Sequence, residues 1–432
     1  MSTKIVLVGA GSAMFGLGAV GDILKSAPLA GCTVTLNDIN PKALDFVAKT
    51  ARSYVEEHGL PYTIEATTDL DAALAGADYC IISIEVGDRH ELWDQDWRIP
   101  LQYGIRQVYG ENGGPGGLFH ALRITPPILD IVEKVTRICP DATVINLSNP
   151  MVRISQAITT KFPGVKYVGL CHEVYSLIEH LPQLLGTPFE NLSIKAGGLN
   201  HFSVLLEASY KDSGKDAYPD IRDKAPAYFA EAPAVFGNIG ERKLFLEILK
   251  RFGHLPITTD SHFGEYIHWA SSAADHDGIL EFYWRYKKST LGNLDKAPEL
   301  IATGTPAAEY WRVIPIIEGI LTDSGQSELA VNVVNDGLID LLPSNAVVEV
   351  PATIDRNGVH GVRIDNYPKG FGALLQNQVG VNNLTVEAIL TGSKEVAMQA
   401  LLTDPVVDSL HAAEGVMETI LRVQSKYLGY LK

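Results

Sequence analysis

Short apolar runs alternate with stretches of helical periodicity over the N-terminal half of the chain. Buried strands are predicted for five runs rich in β-branched residues, at 4–8, 32–40, 77–87, 142–150 and 165–173. The intervening segments 42–58 and 119–138 have helical spacing of their apolar positions. Strands separated by helices indicate βαβ units, and therefore an α/β fold with a Rossmann-like, doubly wound and mostly parallel sheet.

The pattern changes after about residue 195. Longer helices are predicted at 240–252 and 307–321, a strand-rich stretch at 328–355, and two terminal helices near 384–402 and 407–429. We therefore expect two domains. Residues 1–195 would form the Rossmann-like domain, and residues 196–432 would form a closely packed α+β domain for substrate, metal and oligomer contacts.

Composition narrows the class of protein. The 432 residues are 46% hydrophobic and 20% charged, which is typical of a globular chain, and the net charge is −16. This acidic balance argues against nucleic acid or an anionic membrane as a partner. Four cysteines without a CxxC pair, no signal-like start and no run of about 20 apolar residues predict a soluble cytoplasmic enzyme.

A glycine turn follows the first predicted strand. Its third glycine, Gly16, comes two positions later than in GxGxxG, but Gly9 and Gly11 still permit a tight turn at a helix N-terminus that faces a pyrophosphate. Asp38 ends the second strand, where a carboxylate accepts ribose hydroxyl protons and repels a 2′-phosphate. We predict NAD, bound by Gly9, Gly11, Ser12, Phe15, Asp38 and Glu85.

Four further segments add a family resemblance. They are YGENGGPGGLFHALRITP at 109–126, NLSNP at 146–150, CHEV at 171–174 and GGLNHF at 197–202. Together with the GAGS opening and the C-terminal VEAILTGSKEVAMQALLTDPVV, they resemble glycoside hydrolase family 4, whose members are NAD-dependent and divalent-metal-dependent glycosidases. The resemblance covers nearly the whole chain.

The resemblance implies redox-assisted elimination and addition in place of the usual pair of catalytic carboxylates. NAD would take hydride from carbon 3 of the sugar, and the resulting ketone would acidify the proton on carbon 2. A base would remove that proton while the aglycone leaves. Water would then add and the hydride would return.

The resemblance also implies a metal site at Cys171 and His201, in CHEV and GGLNHF. The metal would chelate the sugar hydroxyls at carbons 2 and 3 as a Lewis acid. Thiolate and imidazole ligands ordinarily favour zinc, whereas the family points to manganese, and we follow the family.

Substrate contacts are implied for Asn149, Glu111, Arg123 and His172. His172 matches a position that in some branches carries the proton donor for the leaving oxygen, although a structural role beside the metal is nearly as well supported. Arg123 would bind an acidic group of the substrate or form a salt bridge within the protein, with Glu111 or Asp88 as the partner.

The catalytic base is implied to lie in TTDSHFGEYIHW at 258–269, which resembles a family segment that supplies an Asp in some branches and a Tyr in others. Asp260 and Tyr266 are both present, and we favour Asp260. Either group could take the carbon 2 proton beside a metal and a ketone.

CHEV is nearer to the CHxx forms of α-glucosidases, α-galactosidases and uronidases than to the forms of the 6-phosphosugar branches. We therefore expect an unphosphorylated α-hexoside as substrate of a homodimer or homotetramer. Arg89, Arg123 and Lys288 leave an anionic sugar open, such as a uronide or a sulfonated glucose. A lactate- or malate-type dehydrogenase and a sugar-sensing NAD-binding protein are the alternatives from other classes.

Overall fold

One continuous sheet of twelve strands runs through the part of the chain that the computed structural model describes, residues 3–11, 16–231, 242–290, 293–304 and 313–432. The strands are β1 Lys4–Val8, β2 Thr33–Asn37, β3 Thr63–Thr67, β4 Tyr79–Ile82, β5 Thr143–Asn146, β6 Tyr167–Gly169, β7 Leu192–Leu199, β8 Phe202–Tyr210, β9 Leu255–Pro256, β10 Gln326–Val334, β11 Val347–Asp355 and β12 Gly358–Gly361.

The helices of these residues surround the sheet on both faces. They are α1 Gly16–Lys25, α2 Pro41–Glu57, α3 Leu70–Leu74, α4 Arg89–Gln102, α5 Gly114–Ile138, α6 Met151–Lys161, α7 Ser176–Leu185, α8 Tyr218–Glu231, α9 Lys243–Phe252, α10 Asp260–Phe263, α11 His276–Thr290, α12 Ala297–Thr303, α13 Val313–Thr322, α14 Lys369–Thr391, α15 Lys394–Thr403, α16 Leu410–Val423 and α17 Ser425–Leu428.

The first six strands form a parallel half in the order β3-β2-β1-β4-β5-β6. Successive side chains of β1 enter opposite cores, because strand residues alternate between faces. Ile5 and Leu7 pack with α1, α2, α12 and α13, whereas Val6 and Val8 pack with α5, α6 and α14 to α16. Helices on both faces confirm the predicted doubly wound α/β fold.

An antiparallel half continues the same sheet in the order β10-β11-β7-β8-β9, with β12 paired to β11. Its link to the parallel half is narrow. A single register pair, Asn332 with Gly169, joins the two halves at β10 and β6, and within the antiparallel half another single pair, Glu349 with Gly198, joins β11 to β7. Because Asn332 and Glu349 are themselves register partners, these residues lie in one row across the sheet.

The first strand and the second helix agree with the predicted ranges to within one residue. The predicted helix near 384–402 was wrong, because Gly392 at φ 67° ends α14 and Ser393 caps a separate helix, α15. Within the described residues, no helix is long and apolar enough to cross a bilayer. The division of the chain after residue 195 stays a prediction.

Candidate active site

Most of the predicted site residues follow the ends of parallel strands. Asp38 comes after β2, Glu85 after β4, Asn149 after β5 and Cys171 after β6. The carboxyl ends of parallel strands share one edge of a sheet, and this edge is where open α/β sheets bind ligands. The topology therefore brings these residues to a common crevice.

The glycine turn after β1 approaches its neighbours closely. Gly9 has φ 89°, and a Cβ there would lie 2.0 Å from the carbonyl oxygen of Ser83, so only glycine fits. The amide of Gly11 donates to Asp38 Oδ2 at 2.8 Å, which fixes that carboxylate beside the turn. This geometry suits a dinucleotide. The predicted contacts Ser12 and Phe15 lie outside the described residues.

Glu85 belongs to a partly buried charge network, and its contact with the cofactor stays a prediction. It pairs with Arg89, whose other guanidinium nitrogen contacts Glu111 at 2.5 Å. Burial raises the pKa of Glu85, but Arg89 and His120 outweigh it and lower that pKa to about 2. Arg89 is thus held between two carboxylates.

Cys171 and His201 meet, as the family resemblance implied. Their Sγ and Nε2 atoms are 3.2 Å apart, although 30 residues separate them in sequence. Cys171 follows β6, whereas His201 lies in the turn between β7 and β8 with φ 61°. Both side chains are buried. A thiolate and an imidazole converging in this way fit a transition-metal ion, and His201 Nδ1 has no hydrogen-bond partner among the described residues.

Two further groups surround this pair and were not predicted. Glu173 Oε1 lies 4.0 Å from His201 Nε2 and 3.5 Å from His262 Nε2. The rings of His201 and His262 stack with centroids 4.6 Å apart. Glu173, His201 and His262 could together hold a metal ion. Both additions lie inside segments already singled out by sequence, CHEV and TTDSHFGEYIHW, and this position was the available signal.

Burial dominates the electrostatics of the cluster. Desolvation raises the pKa of the Cys171 thiol well above its usual value, and a hydrogen bond from Asn200 opposes that rise. Desolvation likewise lowers the pKa of His172 to about 3, which favours the neutral imidazole near pH 7. A bound cation would reverse the balance at the thiol, because a metal favours the thiolate.

Glu265 and Tyr266 pack against the loop before α5. The Glu265 carboxylate accepts the backbone N–H groups of Glu111 at 2.5 Å and Asn112 at 3.1 Å, which fixes the loop before α5. The Tyr266 ring stacks on Phe202, and a Cβ on Gly113 would lie only 2.7 Å from that ring. Glycine in this loop therefore makes room for Tyr266.

Asp260, which the sequence favoured as the catalytic base, is held by backbone groups. Its two carboxylate oxygens accept three backbone N–H groups, from Leu244 at 2.9 Å, Phe245 at 2.8 Å and Asp275 at 2.9 Å. The first two donors are in the first turn of α9, and the third precedes α11. Asp260 thus caps two helices, since it satisfies N–H groups that a helix leaves open.

Arg123 also differs from its predicted contact with substrate. Its guanidinium makes a bidentate pair with Asp96 at 2.7 and 3.1 Å and donates to Gln424 at 2.8 Å. The side chain is 4% exposed, so these partners occupy it within the protein. The structural salt bridge was the correct alternative, but its partner is Asp96 and not Glu111 or Asp88.

Asn149 has a buried side-chain oxygen without a hydrogen-bond donor among the described residues. Its peptide bond to Pro150 is cis, and its Oδ1 is buried with no hydrogen-bond partner among the described residues. A buried acceptor without a donor lowers the stability of a folded protein. Asn149 therefore fits the predicted contact with a sugar hydroxyl.

The family comparison agrees with this arrangement. Residues 4–187 match the family 4 glycosyl hydrolases, and residues 196–407 match the C-terminal domain of that same family. The chain belongs to glycoside hydrolase family 4. The predicted class of enzyme, a glycoside hydrolase, is confirmed, and a lactate- or malate-type dehydrogenase is not supported.

Relatives within family 4 differ in the sugar that their names specify. An α-glucosidase of Erwinia rhapontici is 51% identical, and the match covers 100% of each chain. An α-galactosidase of Bacillus subtilis strain 168 is 30% identical over 93% of each chain. A 6-phospho-α-glucosidase from gut microorganisms, solved in complex with NAD and Mn²⁺, superimposes with a TM-score of 0.83 at 21% identity and 100% coverage of each chain.

Family 4 enzymes depend on NAD and a divalent metal, so the cofactor prediction is confirmed at the level of the family. The residues that hold these groups in this chain stay predictions. Gly9, Gly11 and Asp38 suit the dinucleotide, and Cys171 with His201 suits the metal.

We expect Asp38→Ala to weaken NAD binding by about 1–3 kcal/mol, because charge-assisted hydrogen bonds to the ribose would be lost. Calorimetric titration with NAD and NADP measures the effect. Asp45→Ala, which removes a carboxylate from the exposed side of α2, is the control and should bind NAD normally. Unchanged NAD affinity in Asp38→Ala would show that the residue is misassigned.

We expect Asp260→Ala to lower the free energy of unfolding by about 1–3 kcal/mol, because buried N–H groups lose their acceptor. Urea unfolding measures the loss. Asp277→Ala, an exposed acidic residue of the neighbouring helix α11, should have little effect. Wild-type stability in Asp260→Ala would contradict the capping role and return Asp260 to consideration as the base.

Proposed function

We propose that this family 4 enzyme hydrolyses unphosphorylated α-glucosides by oxidation at carbon 3 of the sugar, elimination of the aglycone, addition of water and re-reduction. The observation that supports it most is the approach of Cys171 and His201 to 3.2 Å, beside the crevice edge that suits a dinucleotide. Similarity to an α-glucosidase over the whole chain favours the glucoside.

When bound, NAD supplies a hydride acceptor and the metal supplies a Lewis acid at the sugar hydroxyls. Gly9 and Gly11 bring the backbone close to the dinucleotide, and Asp38 receives the ribose hydroxyls. Cys171 and His201 hold the metal. Asn149, whose Oδ1 lacks a partner, accepts a hydrogen bond from a sugar hydroxyl and orients the ring.

Tyr266 is the better candidate for the base that removes the carbon 2 proton. Both oxygens of Asp260 are occupied by backbone N–H groups, so that carboxylate has little freedom to reach a substrate. Burial and the neighbouring Glu265 carboxylate raise the pKa of the Tyr266 phenol well above its usual value, and the fully buried guanidinium of Arg153 acts in the opposite direction. Tyr266 also lies next to Glu265, which holds the loop of Glu111.

The charges around the crevice favour a neutral sugar over an anionic one. Arg89, a partly buried cation, is already paired with Glu85 and Glu111. Glu173 and Glu265 add buried carboxylates. A phosphate, carboxylate or sulfonate on the sugar would have to leave water for a surrounding rich in carboxyl groups, and its desolvation would add to the cost.

Hydrolysis of an aryl α-glucoside in deuterated water should give glucose carrying deuterium at carbon 2. Elimination from a 3-keto sugar breaks the bond from carbon 2 to hydrogen, whereas hydrolysis through an oxocarbenium ion leaves it intact. NMR or mass spectrometry of the product measures the incorporation. An NAD-independent retaining α-glucosidase run in parallel should give none, and a product without deuterium would exclude the redox mechanism.

Tyr266→Phe should suppress carbon 2 exchange while NAD binding is retained. The ring, and hence its stacking on Phe202, is preserved in this variant, so loss of the hydroxyl is the main change. Tyr103→Phe, at a half-exposed tyrosine that hydrogen-bonds Thr419, is the matched control. If Tyr266→Phe exchanges the carbon 2 proton at the wild-type rate, another residue is the base.

Faster turnover of a uronide or 6-phosphoglucoside than of the glucoside would overturn the neutral-sugar assignment.

A further inference from the structure

The two metal-binding residues come from opposite sides of the link between the sheet halves. Cys171 follows β6 of the parallel half, and His201 lies between β7 and β8 of the antiparallel half. Strands β10 and β11 separate these elements in the sheet. The distance from Cys171 to His201 is therefore set by how the intervening strands are held.

The row across this link contains glycine at both outer positions. Its register partners run from Gly169 through Asn332 and Glu349 to Gly198. A Cβ on Gly169 would lie 2.6 Å from Met151 Sδ and 3.1 Å from Asn332 Cβ, so the missing side chain makes room. Two polar side chains, those of Asn332 and Glu349, lie between the glycines at 0% exposure.

Glu349 makes specific contacts with the turn that carries His201. Its carboxylate accepts hydrogen bonds from Asn200 Nδ2 at 2.8 Å and Ser203 Oγ at 2.8 Å, on either side of that residue. On the other flank, Asn332 Nδ2 lies 3.5 Å from Glu349 and 3.4 Å from the carbonyl oxygen of Gly169. The carboxylate thus connects the β7–β8 turn to the strand that leads to Cys171.

The turn needs such support because of its backbone conformation. His201 has φ 61°, a conformation that residues with a side chain adopt only when the surrounding structure imposes it. Asn200, which donates to Glu349, is the residue directly before His201 in sequence. The hydrogen bond from its amide therefore ties the Glu349 carboxylate to the backbone of this turn.

We propose that Glu349 is a positioning residue for the metal site, acting through Asn200 and Ser203 to hold His201 opposite Cys171. This inference rests on the proposed function, because it takes Cys171 and His201 as the metal ligands. Glu349 does not itself touch metal or substrate in this scheme. Partners of this kind orient the ligands of metal sites, and their loss commonly weakens metal binding about 10–100-fold.

The test is a Mn²⁺ titration of the full-length protein with NAD bound, after removal of metal with a chelator. Free Mn²⁺ is measured by its electron paramagnetic resonance signal. Glu349→Ala should weaken Mn²⁺ binding about 10–100-fold, and Glu349→Gln should recover part of the affinity because its amide can still accept from Asn200. Asn200→Ala should reproduce the loss, which tests the link independently.

A spectroscopic measurement separates positioning from general destabilisation. Co²⁺ bound to a thiolate gives a charge-transfer band, which should weaken or shift in Glu349→Ala. Asp404→Asn changes another buried carboxylate, which is 2% exposed and near Arg153, so it should lower stability without altering Mn²⁺ affinity or the cobalt spectrum. Wild-type affinity and spectrum in Glu349→Ala and Glu349→Gln would overturn the inference.

Cys171→Ser distinguishes this failure from a failure of the proposed function. If Cys171→Ser abolishes the cobalt band and weakens Mn²⁺ binding while Glu349→Ala does neither, only the role of Glu349 is wrong. If Cys171→Ser also binds both ions normally, the metal site itself is misplaced.

Discussion

The pairing of two sheet halves through one row of residues is the constraint on which the site depends. The parallel half supplies the crevice edge with Asp38 and Cys171, and the antiparallel half supplies the turn with His201. Neither half contains both of the groups that we propose as metal ligands. Their approach to 3.2 Å requires the register of β6, β10, β11 and β7 to be kept.

Buried carboxylates around the crevice are each held by specific donors. Glu111 is paired with Arg89, Glu265 with backbone N–H groups and Glu349 with Asn200 and Ser203. Such groups would otherwise be expensive to remove from water. The arrangement places carboxyl groups in fixed positions around a site that is expected to receive metal and sugar. The orientation of the buried Cys171 thiol and of the imidazoles also depends on these carboxyl groups.

The periodic parts of this fold could be predicted from sequence, and the direction of individual side chains could not. The strand 4–8 and the helix beginning near residue 42 are clear because their apolar positions repeat regularly. Asp260 and Arg123 lie in segments that the sequence singled out. However, sequence does not show that a carboxylate turns toward helix N-termini, or that a guanidinium turns toward Asp96.

Glu349 shows a second limit of the sequence pattern. Its segment, VVEVPATID, has the pattern of a buried strand, and an acidic residue between two valines was the available signal. What it contacts depends on a strand pairing between segments about 150 residues apart. Such long-range partners cannot be read from local periodicity, because the pattern specifies which face is buried but not what lies against it.

The narrow link between the sheet halves has a consequence for cooperativity. Regions joined by few hydrogen bonds can open as separate units, which native-state hydrogen exchange detects as different opening free energies. A cation held by Cys171 on one side and His201 on the other would cross-link the two units. Ion binding would then do more than prepare the crevice for its substrate. It would couple the two halves, so that protection against exchange in β7 and β8 rises together with protection in β6.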